Sequence, residues 1–146
     1  MTTIANFEEV RLLEHIKSSG LLTSFTDCFG NTQGATDSVA GMIDLTALAD
    51  NKRAILVRQN GSDSFGRPYQ GIIDVPMLIA VFSKANDDDL AITKGFATDI
   101  YKWLIDNYFS SSQCITSIST RGVSNPLFTE DSRAVFEINL IVKFNV

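Results

Sequence analysis

Residues 131–146 read DSRAVFEINLIVKFNV, and the reading of this stretch decides the fold. Ala134, Phe136, Ile138, Leu140, Val142, Phe144 and Val146 fall on one side of a two-residue period. Val135, Glu137, Asn139, Ile141, Lys143 and Asn145 fall on the other. Successive side chains of a strand point to opposite faces, so this segment has one wholly apolar face and one mixed face. The first meets a core, and the second meets water or a partner. Terminal segments fray unless a sheet holds them, which places this strand in the middle of one.

Working backwards, residues 114–122 (CITSISTRG) form a weaker strand and residues 123–131 (VSNPLFTED) a loop. Residues 86–109, NDDDLAITKGFATDIYKWLIDNYF, carry the strongest helical pattern. Ile92, Phe96, Ile100, Trp103 and Leu104 recur at three- and four-residue intervals and predict a broad buried stripe. Asp87, Asp88 and Asp89 are expected to cap the helix and offset its positive end rather than to gather a metal ion. Gly95, inside the helix, points to a close packing approach.

Before this helix, residues 72–83 (IIDVPMLIAVFS) are apolar on both faces over their second half, which predicts cover on both sides by helices or another subunit. Pro76 has no N–H to give a ladder and predicts an edge or a bulge. Residues 53–59 (RAILVRQ) form a further strand, joined to the last by the turn-rich NGSDSFGRPYQG of residues 60–71, a long hairpin. Residues 7–19 predict an amphipathic helix, with Asn6 as N-cap and Arg11 and His15 near its wetter side. Residues 23–50 lack a clean period and read as loop and short irregular pieces. Hairpins flanking a helix give an α+β fold. It consists of a mostly antiparallel or mixed sheet of about four strands, with the N-terminal helix and the long central helix on one face. The length, 146 residues, suits a single domain over residues 1–146.

Composition excludes several classes. The formal charge is −5 and the basic residues are scattered singly, unlike the basic patch that binds nucleic acid. No stretch approaches the roughly 20 apolar residues of a membrane span. Residues 1–10 have neither a basic start nor an apolar run, which predicts a protein made and used in a cytoplasm, or in something assembled there. Two cysteines and one histidine do not make a four-ligand zinc site, and Cys28 and Cys114 are expected to be free thiols. The glycine-rich residues 30–41 lack the Lys-Ser/Thr of a phosphate loop. His15 reads as a surface histidine and Cys114 as a small core hydrophobe, and a Cys28–His15 pair lacks a third partner. No catalytic site, cofactor or metal is legible. Phe65, Arg67, Tyr69 and Arg121, in GRPYQG and RGVSNP and beside them, are the candidate oligomer or partner contacts; solvated turns account for them equally well. Phe65 and Tyr69 are aromatic residues that a wet loop does not need.

The order RAILVRQ, VPMLIAVFSKANDDD, AITKGFATDIYKWL and NPLFTEDSRAVFEINLIVKF resembles the tail terminator (tail completion) proteins of long-tailed bacteriophages, and related small neck and minor tail proteins. The resemblance implies a non-enzymatic virion subunit that forms a hexameric ring on the end of the tail tube. That ring stops tube polymerisation and offers a surface to the head-completion or connector protein. DNA passes through without specific binding, and neither cofactor nor membrane is involved. The competing reading is a non-catalytic protein- or ligand-binding module, or another small neck or minor tail component.

Overall fold

A computed structural model describes residues 8–22, 37–40, 52–60, 65–67, 72–85, 89–129 and 132–145. Its elements, in chain order, are α1 (Glu8–Lys17), β1 (Asp37–Ala40), β2 (Ala54–Gln59), β3 (Phe65–Arg67), β4 (Ile72–Phe82), α2 (Leu90–Asp106), β5 (Ile115–Val123), β6 (Leu127–Phe128) and β7 (Ala134–Asn145). The strands form one sheet in the order β1-β2-β4-β7-β5, with β3 beside β4 and β6 beside β7. Only the β1–β2 pairing is parallel among the described strands. The α+β architecture read from the pattern is the one observed. Three short strands, β1, β3 and β6, add to the four long ones, and each lies in a stretch read as loop.

β7 is an inner strand, with β4 on one side along residues 135–145 and β5 and β6 on the other. Phe136, Ile138, Leu140, Val142 and Phe144 are buried, as the two-residue period requires. They join Val75, Met77, Ile79 and Val81 of β4, Leu12, Leu13 and Ile16 of α1, and Phe96, Ala97, Ile100 and Leu104 of α2 in one core. Both helices therefore cover the same face of the sheet.

On the helix-free face the second half of β4 is also buried: Ala80 and Phe82 pack with Ala54, Leu56 and Val135. This cover arises within one chain, so no neighbouring subunit is needed to explain the doubly apolar pattern. Pro76 is neither on an edge strand nor at a bulge, since β4 lies between β2 and β7. Its carbonyl accepts the Asn60 N–H at 2.8 Å, one residue beyond the last β2–β4 pair, Gln59–Met77. N and C=O of a strand residue point to the same edge, so the missing donor faces Asn60, and this pair, at the end of the β2 ladder, keeps one hydrogen bond instead of two.

Gly95 is exposed, and a Cβ built there meets nothing within 4 Å, so no close approach explains it. Gly95→Ala is expected to raise stability by about 1 kcal/mol through helix propensity alone. A thermal melt that shows no gain, or a loss, counters this reading.

Candidate interaction surface

The groups with the most distinctive chemistry are buried and bound to one another. Asp89 stands at the N-terminal boundary of α2 but makes no side-chain capping bond, contrary to the expectation for the aspartate run; Asp87 and Asp88 lie outside the described residues. Its side chain turns inward to Arg53, just before β2. Arg53 Nε donates to Oδ2 at 2.9 Å, Arg53 Nη2 donates to Oδ1, and Oδ2 also accepts the Lys84 N–H at 2.9 Å and Thr93 Oγ1 at 2.8 Å. Burial alone would raise the carboxyl pKa; the Arg53, Lys84 and Thr93 bonds and the Arg53 charge outweigh it and hold Asp89 below the usual carboxylate value. Nearby, fully buried Arg133 donates through Nη1 to the carbonyls of Lys52 at 2.8 Å and Ser83 at 2.9 Å. These bonds tie the starts of β2, α2 and β7 to the end of β4, a structural task.

His15 is not on the wet side of α1. It is 6% exposed, donates from Nε2 to the Asn107 carbonyl at 2.7 Å, and lies 4.7 Å from the Trp103 ring, centroid to centroid. Its period matched the polar face of an isolated helix, but the C-terminal end of α2 covers that face. Cys114 is not a core residue: it is half-buried in the turn before β5, at φ 59°. Cys28 lies outside the described residues. Among the described residues no group of three or more His, Cys, Asp or Glu side chains is placed to hold a metal ion.

What remains open is surface. On the helix-free face β7 presents Glu137, Asn139, Ile141 and Lys143, all half-buried. Lys143 Nζ lies 3.9 Å from Asp74 Oδ1 on β4, a partly exposed pair too long for a hydrogen bond and of small energetic weight. Beside it a concavity of about 450 Å³ is lined by Pro76, Val123 and Ile141, by Asn60 and Asn139, and by Arg121 and Glu137. It forms where β5 shifts register on β7 between Thr120 and Val123, with Gly122 at φ 92°. A non-glycine residue there would be strained.

Arg121 is therefore exposed and beside a built depression. Phe65 and Arg67 lie in β3, paired with Asp74 and Ile72, and Tyr69 lies outside the described residues. β3, which carries Phe65 and Arg67, and β5, which carries Arg121, are separated by β4 and β7. Large exposed apolar side chains occur elsewhere, at two places the sequence reading passed over. Ile105, Tyr108 and Phe109 mark the end of α2, with Tyr108 at 55% and Phe109 at 60%; Leu127 and Phe128 mark β6. The NYF that closes the helical pattern was the available signal for the first group.

This arrangement, a sheet with both helices on one face and, on the other, a buried apolar cluster beside the half-buried Glu137, Asn139, Ile141 and Lys143 of β7, is joined by an independent finding. A family model described as phage tail termination protein matches residues 44–146, from before β2 through β7. The chain belongs to that family. No curated protein matches it closely. As a tail termination protein it belongs with the structural components of phage tails, whose work is done through contacts with other tail or head proteins. The family match takes in the entire helix-free face from β2 onward, while α1 and β1 lie outside it.

Proposed function

We propose that the chain caps a phage tail tube as a homo-oligomeric, hexameric ring, ends tube polymerisation, and offers the surface to which a head-completion or connector protein joins. It does so as a non-catalytic virion subunit, assembled in the host cytoplasm. The observation that supports this reading is the match to tail termination proteins over most of the chain, with the open sheet face inside the matched span. A closed ring needs two different patches on each subunit, and the separation of β3 from β5 supplies two sides of one sheet. Phe65, Arg67 and Tyr69 serve a contact with an adjacent subunit or a tail partner, and Arg121 serves a second contact. A formal charge of −5 suits a ring that DNA slides through without sticking.

Mass photometry of the purified chain, alone and with tail tubes, followed by electron microscopy, tests the reading. The expected result is a discrete oligomer seen as a ring at one tube end, with tube growth halted. A monomer that neither binds tubes nor changes their length overturns it.

A further inference from the structure

We propose that neighbouring copies join head to tail, with Tyr108 and Phe109 of one copy seated in the concavity beside Arg121 of the next. This rests on the ring reading and names the contact that would build it. Tyr108 and Phe109 lie immediately before the Ser110–Ile115 bridge, at the start of β5, whereas the concavity lies at the β5 register shift near its end. Ile115 and Val123 pair with Phe144 and Ile138 of β7, so at about 3.3 Å per residue the two sites stand up to roughly 20 Å apart along the strand, and one copy does not fill its own concavity. A knob and a hole at different places on one molecule give a head-to-tail contact.

The chemistry of the two sites matches. The concavity, about 450 Å³, is of a size to admit an aromatic side chain, and Pro76, Val123 and Ile141 provide apolar contact. The Asn60 and Asn139 amides, bonded to each other at 2.7 Å, offer further hydrogen-bonding capacity to a phenol hydroxyl, and the Arg121 guanidinium can lie over a ring face. Charges are also complementary. Lys102 and Asp106 are exposed on the turn of α2 that precedes the aromatic pair, and Arg121 and Glu137 flank the concavity. Asp106 opposite Arg121 and Lys102 opposite Glu137 give two pairs of opposite sign, which fix register more than they add affinity. Leu127 and Phe128, three and four residues beyond Ser124 on the same sheet edge, extend the receiving side with exposed apolar surface.

The test uses two full-length variants. Tyr108→Ser/Phe109→Ser removes the knob and keeps the hole; Arg121→Asp sets like charges face to face and keeps the knob. All four residues or partners involved are exposed, and circular dichroism checks that both variants fold. Each alone is expected to associate at least about 30-fold more weakly than wild type, the loss of an anchor. Mixed one to one, they have a single intact knob and hole between them, so they pair as dimers and stop. Variants that still form the wild-type oligomer, or a mixture that stays monomeric, overturn the proposal. So does an intact ring that has lost only its binding to tail tubes, which assigns the surface to a tail partner. A wild-type chain that stays monomeric with and without tubes removes the ring reading itself.

Discussion

Asp89→Ala is expected to destabilise the fold by about 3–5 kcal/mol, since it leaves a buried guanidinium without its carboxylate. Arg53 is 2% exposed and Asp89 3%, so water does not replace the lost bonds. The same substitution strips partners from the Lys84 N–H and the Thr93 hydroxyl, each inside the junction that fastens α2 to the sheet. Urea titration followed by circular dichroism reads the change; a shift under about 1 kcal/mol would show the pair to be dispensable. Replacing both partners by apolar residues of similar volume is expected to recover much of the loss. The pH dependence has a fixed sign. The folded carboxyl is depressed below its unfolded value of 3.8, so its contribution is complete above that value and disappears as pH falls through the depressed one. The gap between wild type and Asp89→Ala accordingly narrows in acid.

Phe136→Ala carries a similar expected cost, about 3–5 kcal/mol, for a different reason. Phe136 is 0% exposed in an inner strand, opposite Val81, and part of the core that both helices share. Truncation leaves a void that the paired strands on either side resist closing. Against a total stability of about 5–15 kcal/mol, such a loss brings the chain near the unfolding threshold. Ile141→Ala supplies the contrast: it lies in the same strand but half-buried on the helix-free face, and its cost is expected to stay below about 1.5 kcal/mol. Equal losses at the two positions would mean that the faces of β7 do not differ as described.

The long, strongly patterned elements were legible because one simple period governs each. β7 has a two-residue alternation and is buried on one face, and α2 buries Phe96, Ile100 and Leu104 at helical spacing. What the sequence did not show depends on tertiary partners. His15 lies on what is the polar side of α1 in isolation, and only the position of Asn107 makes it a buried donor. Asp89 looked like a cap because its neighbours are acidic, and only Arg53, 36 residues away in sequence, draws it inward. β3 and β6 are too short for a period to appear, at three and two residues. Of the surface, Arg121 was legible as an exposed turn cation. The concavity was not, because it is produced by a register shift between β5 and β7 that no local pattern encodes.

The pairing of β4 with β7 has a kinetic consequence. It joins residues 72–82 to residues 135–145, in the two longest of the described strands. During synthesis β4 emerges with one flank unclaimed and waits for some sixty further residues before its neighbour exists. Contacts this remote along the chain make folding slow, and the waiting ribbon is open to wrong partners in a crowded cell.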